Sequence, residues 1–331
     1  MMRTSDPLKH DYTELTPETI LAAVESLGFE TSGRLLALNS YENRVYRCEL
    51  EQGGAIIAKF YRPDRWSDLA IAEEHKFAFE LVEQEIPVVA PQLIETQSLF
   101  AYQGYRYALY PLRGGRWPDL ESRDDLNWMG RFIARIHNVG RTGLFQHRHQ
   151  IEINRMGNES AVFLLEHGFI PDYLTVAYQS LTDDLLKEIQ AAFDRCGRYN
   201  VIRLHGDCHR SNVLWTDDGP HFVDLDDCCN GPAIQDLWML LSGDRQEMTE
   251  QLCDLLEGYD EFATLDLKEL NIIEALRSLR MMHYAAWLAR RWQDSAFPLA
   301  FPWFNTTNYW EEHVLELREQ LSRLYEPVLV V

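Results

Sequence analysis

The chain has 331 residues, of which 46% are hydrophobic and 12% aromatic, so it is long enough to form two lobes with sizeable cores. A net charge of −21 argues against a nucleic-acid-binding protein, which would carry a basic surface. The chain has no apolar run of the roughly 18 residues that a membrane span needs, no apolar N-terminal signal and no Cys-x-x-Cys pair among its six cysteines. We therefore expect a cytoplasmic protein with reduced thiols that binds neither membrane nor nucleic acid.

The first third of the chain predicts an antiparallel sheet that carries one helix. One helix is predicted at 16–28, where Thr-Pro is a typical helix start. A second is predicted at 67–85, where apolar residues recur with helical spacing. Strand-like runs rich in β-branched and aromatic residues lie at 34–50, 53–62 and 93–112. Because the last run contains a Gln-Gly turn, the predicted order over residues 30–112 is strand, strand, helix, strand, strand.

Helical patterns dominate after a connector at 113–118, and the one β-like interruption is 200–227. The predicted helical segments are 122–140, 158–168, 181–196, 234–261, 266–293 and 307–325. The sequence therefore predicts an α+β fold with a β-rich N-terminal lobe at 1–112 and a larger helical lobe at 113–331.

A polar cluster interrupts apolar residues in the stretch LHGDCHRSNVLW, residues 204–215. Burying such groups is unfavourable unless something binds them. Asn212 follows Asp207 by five residues and Asp224 follows it by seventeen, with a predicted hairpin turning at 217–219 between them. The hairpin would bring Asn212 and Asp224 to the same end of its ladder, where two oxygen donors suit a magnesium ion. Asp207 would then be the base that accepts a hydroxyl proton.

Phosphoryl transfer also needs a cation that holds the phosphates. Lys59 lies in the apolar run AIIAKFYR, and the next helix offers Glu73 and Glu74 as partners. The lysine could instead protect a sheet edge, and the glutamates could be solvated helix charges. However, the order Lys, Glu, Asp-x-x-x-x-Asn, hairpin, Asp is typical of a kinase nucleotide site.

The segment HGDCHRSN, residues 205–212, resembles the His-Gly-Asp-x-His-x-x-Asn catalytic loop of the aminoglycoside-phosphotransferase and choline-kinase-like superfamily. The segments LNSYENRVY, KFYRP, FVDLDD, NGPAIQDLW and FPWF resemble its bacterial stress-response serine/threonine protein kinases over most of the chain, from Leu15 to Trp310. The resemblance implies a bilobal protein-kinase-like fold and an enzyme that uses ATP as co-substrate and Mg²⁺ as cofactor. The first lobe would bind the nucleotide, and the second would carry catalysis and the acceptor.

The resemblance also implies roles for single residues. Asp207 and Asp224 match the catalytic aspartates, and Asn212 matches the second magnesium ligand beside Asp224. Lys59 and Glu74 match the lysine that binds the nucleotide phosphates and its helix partner. Ser40 matches a residue of the loop that closes over the phosphates. Asp236 matches a buried aspartate that holds the catalytic loop by hydrogen bonds.

The chain departs from protein kinases at the phosphate loop and at the activation loop. Residues 37–46 contain no glycine, so backbone amides helped by Ser40 and Asn43 would have to cradle the phosphates. No Asp-Phe-Gly or Ala-Pro-Glu segment is present, so control by phosphorylation of an activation loop is not expected.

Three functions remain open at this point. The first is a monomeric serine/threonine protein kinase with a protein substrate, and the second is a small-molecule kinase acting on an aminoglycoside, choline or homoserine-like hydroxyl. Both use the same catalytic residues, so the motifs do not separate them. The third is a nucleotide-binding pseudoenzyme, against which the intact Lys59, Asp207, Asn212 and Asp224 argue.

Overall fold

A computed structural model of the chain describes residues 12–217 and 219–331, and their contacts group into two compact units. The first unit comprises Met1–Asp119, described from Tyr12 onward, with Phe145–Arg148 and His209–Cys228. The second comprises Leu120–Leu144, His149–Cys208 and Cys229–Val331. The predicted lobe boundary at residue 112 stays a prediction.

The first unit is built on a five-stranded antiparallel sheet. Its strands are β1 (Thr31–Ala37), β2 (Arg44–Leu50), β3 (Ala55–Phe60), β4 (Phe100–Tyr102) and β5 (Tyr105–Pro111). The spatial order is β1-β2-β3-β5-β4, so β3 lies in the middle of the sheet. The sequence predicts two strands before the helix and the structure has three, because the run at 34–50 is divided by the polar loop 38–43.

Two helices cover this sheet, α1 (Pro17–Glu25) and α2 (Asp68–Glu83). Each begins at a hydroxyl side chain, of Thr16 and of Ser67, that accepts a backbone N–H of the first turn. Burying apolar faces of α1 and the sheet creates a continuous core around Ile20, Phe60 and Tyr107. The first helix, the second helix and the last two strands of the prediction are thereby confirmed.

A hairpin completes the first unit, with strands β7 (Val213–Thr216) and β8 (Gly219–Phe222). The predicted turn residues are Asp217, Asp218 and Gly219, of which Asp218 lies outside the described residues. Short 3-10 helices precede and follow the hairpin at Arg210–Asn212 and Leu225–Asp227.

The second unit is mainly helical. Its helices are α3 (Arg123–Gly140), α4 (Glu159–Glu166), α5 (Thr175–Cys196), α6 (Ile234–Trp238), α7 (Arg245–Tyr259), α8 (Ile273–Arg290), α9 (Ala296–Ala300) and α10 (Thr307–Arg323). A π-helical turn at Asn154–Asn158 and a 3-10 turn at Leu267–Ile272 precede α4 and α8. Two short strands, β6 (Ile202–Leu204) and β9 (Cys229–Gly231), pair antiparallel. The α+β class predicted from the sequence is confirmed.

The single helix predicted at 234–261 is wrong, because the structure divides it into α6 and α7. Gly243 between them has φ 88°, a left-handed conformation that favours glycine. Asp244 then starts α7 with a capping box in which Glu247 returns the hydrogen bond. Of the two helices, α6 contacts the catalytic loop through Asp236, whereas Tyr259 of α7 contacts His137.

Helices α3 and α7 approach each other closely through two glycines. A Cβ atom added at Gly130 would lie 2.0 Å from the carbonyl oxygen of Leu255, and one at Gly258 would lie 2.0 Å from that of Asn127. Because no side chain fits at either position, glycine sets the spacing of the two helices. This spacing brings His137 of α3 to Tyr259 of α7.

All six cysteines are free thiols, five of them buried and Cys253 exposed. None of the helices in the described part of the chain is both long and apolar enough to span a bilayer.

Candidate active site

Lys59 lies in the middle strand of the sheet, hydrogen-bonded between β2 and β5, so it does not protect a sheet edge. Its side chain is only 7% exposed, and Nζ lies 3.4 Å from Glu74 Oε1, 3.1 Å from Asp224 Oδ1 and 3.3 Å from Asp226 Oδ1. Burial alone would lower the pKa of Lys59, but Asp226, Glu74 and Asp224 outweigh it and raise that pKa well above its ordinary value. The ammonium group therefore stays charged.

Helix α2 turns Glu74 and Glu73 toward different partners. Glu74 contacts Lys59 and lies 3.5 Å from Nη1 of Arg148, and burial raises its pKa although Lys59 opposes the shift. Glu73 instead accepts two backbone N–H groups of the 146–147 segment at 2.7 and 2.9 Å. These hydrogen bonds overcome partial burial and lower the pKa of Glu73. The lysine contact thus falls on Glu74, the residue predicted from the sequence, and its part in nucleotide binding stays a prediction.

Asp226 and two arginines, Arg65 and Arg148, also belong to this cluster. Arg65 donates hydrogen bonds to the carboxylates of Asp226 and Asp227, and Arg148 donates to the carbonyl oxygen of Asp226. Burial alone would raise the pKa of Asp226, but Arg65, Lys59 and Arg148 hold it far below its ordinary value. The repeated aspartates of FVDLDD were the only sequence signal, since both arginines lie far from them along the chain.

The charges of this cluster leave one negative charge in excess when every group is ionised. Three cations, Lys59, Arg65 and Arg148, face four anions, Glu74, Asp224, Asp226 and Asp227, and the Arg62–Glu42 pair beside Arg65 adds one charge of each sign. The side chains of Asp224 and Asp227 are 51% and 47% exposed, so the excess lies where a solvated cation can approach. Among residues 12–217 and 219–331, no group of three or more His, Cys, Asp or Glu side chains could hold a metal ion.

Asn212 and Asp224 lie at the same end of the β7–β8 hairpin, as the sequence predicts. Val213 is opposite Phe222 in the ladder, and the N–H of Val223 donates to the carbonyl oxygen of Asn212 at 3.0 Å. Asp224 has φ 58° and ψ 66°, a left-handed conformation that aspartate tolerates better than most residues. The donor set, one exposed carboxylate and one carboxamide, fits Mg²⁺ with water and phosphate as its remaining ligands.

The loop between β1 and β2 contains Ser40 and Asn43, which the sequence predicts to lie near the phosphates. Asn43 is buried, accepts the N–H of Arg62 at 3.0 Å and hydrogen-bonds to Asp226. It therefore anchors the end of the loop to the charged cluster. Ser40 is half-buried, and its contact with the nucleotide phosphates stays a prediction.

In the second unit, Asp207 follows β6 in a loop that Asp236 holds by its backbone. The carboxylate of Asp236 accepts the N–H of His205 at 2.8 Å and that of Gly206 at 2.9 Å. Gly206 has φ 84°, which favours glycine at this turn. The hydrogen bonds that the resemblance implied for Asp236 are therefore confirmed. His137 Nε2 lies 3.2 Å from Asp236, so this carboxylate is held from α3 as well.

The first residue of helix α6, which carries Asp236, donates a hydrogen bond to a buried glutamate. Glu269 accepts the N–H of Ile234 at 2.9 Å, and burial raises the pKa of Glu269 to about 7. The carboxylate of Glu269 thus replaces the helix hydrogen-bond acceptor that this N–H lacks. Glu269 therefore contacts the same short helix whose Asp236 holds the catalytic loop.

Comparisons with known proteins agree with the chemistry of these residues. Residues 34–270 match the phosphotransferase enzyme family. Stress response kinase A of Escherichia coli K12 is 43% identical over 318 residues, which cover 96% of each chain. The serine/threonine protein kinase RdoA of Salmonella typhimurium is 44% identical over 320 residues, with the same coverage of each chain.

A solved structure of amicoumacin kinase hAmiN, in complex with AMP-PNP, Ca²⁺ and Ami, is similar in fold. The TM-score is 0.70 at 19% sequence identity, covering 92% of this chain and 93% of that one. The likeness is one of fold.

Proposed function

The chain belongs to the phosphotransferase enzyme family, and we propose that it is an ATP- and Mg²⁺-dependent protein kinase in a bacterial stress response. It transfers the γ-phosphoryl group to a serine or threonine hydroxyl of a protein. The names of relatives that are 43% and 44% identical over nearly the whole chain support the acceptor class and the stress-response role. The free, mostly buried cysteines favour the cytoplasm, where we propose the protein acts as a monomer.

One observation carries the catalytic part of this proposal. A lysine on a central strand is buried among three carboxylates, one of which, Asp224, is half-exposed. A fold gains little stability from such an arrangement, because desolvating the charges offsets most of their attraction. Its retention is explained if Lys59 binds the nucleotide phosphates and Glu74 keeps the ammonium group in place.

The other residues have distinct parts in the proposed reaction. Asp224 and Asn212 would hold Mg²⁺, which would supply positive charge to the phosphoryl group. Asp207 orients the acceptor hydroxyl and accepts its proton, and Asp236 keeps the backbone of the Asp207 loop in one conformation. Ser40 donates its hydroxyl toward the phosphates from the β1–β2 loop.

A second candidate function is phosphorylation of a small molecule. The fold comparison supports it, because amicoumacin kinase and a microcompartment-associated aminopropanol kinase have TM-scores of 0.70 and 0.64 to this chain. These two proteins are only 19% and 18% identical to it, whereas the relatives named as stress-response or protein kinases share 43–44%. We therefore favour a protein acceptor.

The two functions separate in one labelling experiment. The purified chain is incubated with γ-labelled ATP and Mg²⁺, with either serine- and threonine-containing peptides or a panel of amino alcohols and aminoglycosides. We expect label on peptides, and Asp207→Asn should reduce it by about a hundred- to ten-thousand-fold, because the amide cannot accept the proton. Label on a small acceptor alone would show the second function. Label on neither acceptor by the folded wild type would contradict both.

A further inference from the structure

Helix α8 places an arginine against the proposed catalytic base. Arg280 Nη1 lies 2.8 Å from Asp207 Oδ1, and the Arg280 side chain is 42% exposed. Both residues belong to the second unit. An exposed guanidinium group beside the residue that meets the acceptor hydroxyl can contact the acceptor as well.

Arg280 begins a row of partly exposed side chains along one face of α8. Arg280, Tyr284 and Trp287 are spaced by four and three residues on the same side of α8, and Arg291, four residues further on, is the C-cap of this helix. The rings of Tyr284 and Trp287 stack at 5.6 Å with 19° between their planes, and the Arg291 guanidinium lies 5.3 Å from the Trp287 ring. We call these four residues the acceptor face. The two stacked rings lie between Arg280 and Arg291 along the chain, and Trp287 also packs edge-on against Phe297 and Phe301.

The surroundings of the acceptor face are cationic. Burial, and after it the positive charges of Arg155, Arg290, Arg291 and Arg280, lower the pKa of His283 to about 3. Four guanidinium groups thus lie near one imidazole in a chain whose net charge is −21. A concentration of one sign of charge against the overall balance is typical of a recognition surface.

We propose that Arg280 and the acceptor face select a serine or threonine whose flanking residues are anionic. This inference rests on the proposed protein kinase function and names its substrate class. Guanidinium groups bind carboxylates and phosphates through paired hydrogen bonds, so either group could supply the negative charge. A polycationic aminoglycoside or a choline ammonium group would instead meet like charges beside Asp207.

A purely local role for Arg280 makes a different prediction. If the arginine only held Asp207 in place, its removal would slow transfer to every acceptor by the same factor. If it also binds the acceptor, its removal should raise KM for anionic peptides and leave KM for the others unchanged. The two roles therefore separate in the charge dependence of KM.

The test uses three peptides with one acceptor serine in a common scaffold, flanked by glutamate, by phosphoserine or by lysine. For the full-length wild type with ATP and Mg²⁺, we expect kcat/KM at least about tenfold higher for both anionic peptides than for the lysine peptide. Comparing the glutamate and phosphoserine peptides shows which anion the face prefers. This advantage should shrink as the salt concentration rises, because exposed charges are screened.

Variants then assign the preference to the acceptor face. Arg280→Glu should reverse the preference mainly through KM, Arg280→Lys should keep part of it, and Arg291→Glu should weaken it. Arg318→Ala is the matched control, because Arg318 is an exposed arginine of α10 outside the acceptor face. Its kinetic constants should equal those of the wild type.

Two results would overturn the inference while leaving the kinase function intact. One is equal kcat/KM for the glutamate and lysine peptides with the wild type. The other is an Arg280→Glu variant that slows transfer to all three peptides equally. If the wild type labels no peptide at all while the Asp207→Asn control is equally inactive, the proposed function itself fails.

Discussion

Replacing Lys59 by methionine should destabilise the first unit and make its stability depend on pH. Methionine has a similar length but no charge, so three carboxylates within 3.4 Å of Nζ lose their common partner. Leaving an uncompensated charge in a buried ion pair costs about 3–5 kcal/mol. Because Arg148 still contacts Glu74 and Arg65 still contacts Asp226, we expect the lower end, about 3 kcal/mol, at pH 8.

The loss should be smaller at low pH. Burial raises the pKa of Glu74, and Lys59 is the main group that opposes this shift. Without Lys59 the pKa of Glu74 rises further, so its carboxyl group binds a proton in the folded state more readily than in the unfolded state. A raised carboxyl pKa favours the fold below the unfolded pKa, and this contribution is lost as pH rises through the folded value. At pH 5 the protonated Glu74 should reduce the loss to about 1–2 kcal/mol, at roughly 1.4 kcal/mol per pKa unit.

Urea unfolding at pH 5 and pH 8, followed by the fluorescence of the nine tryptophans, measures both values. Lys76→Met is the control, because Lys76 lies on α2 with a side chain that is 75% exposed and should change stability little. A loss below about 1 kcal/mol at pH 8, or an equal loss at both pH values, would refute the reasoning about buried charge.

Three further predictions concern single carboxylates. Asp224→Ala should remove the effect of Mg²⁺ on ATP binding, and calorimetric titrations with and without Mg²⁺ that match those of the wild type would contradict this. Glu74→Ala should slow phosphoryl transfer more than Glu73→Ala. The double variant Lys59→Ala/Glu74→Ala should be little slower than Lys59→Ala alone. Additive losses in a double-mutant cycle on the transfer rate would mean that the two residues act independently. Because the pKa of Glu269 is raised from 4.5 to about 7, wild-type stability should fall as pH rises through 7, by up to about 3 kcal/mol. Glu269→Gln should abolish this fall, and a melting temperature with the same pH dependence in both proteins would argue against it.

Much of the first unit could be predicted because its signals are local. Helix α1 has a cap, a proline and a terminal glycine within the run 16–28, and the hairpin near Asn212 is marked by its turn residues. The missed strand division at 38–43 has no glycine or proline to mark it, so β1 and β2 look like one run. Likewise, the break between α6 and α7 depends on one glycine and one capping box within an otherwise helical pattern.

The candidate site was predictable only where residue type and order carry the information. Lys59 among apolar neighbours and Asn212 after Asp207 follow an order that kinase chemistry requires. Arg65 and Arg280 follow no such order. Arg65 pairs with Asp226 and Arg280 pairs with Asp207, and only folding brings the members of each pair together. Nothing in the sequence distinguishes these two from the other arginines of the chain.

The burial of the thiols has a practical consequence for an enzyme proposed to act under stress. Cys208 adjoins Asp207, yet it is fully buried, and burial raises its thiol pKa well above the ordinary value. The reactive thiolate is therefore scarce and inaccessible in the native protein. Alkylating agents and peroxides should first modify the exposed Cys253 on α7. Inactivation by such reagents should follow the rate at which the second unit opens. The rate of alkylation at Cys208 therefore measures the rate of that opening.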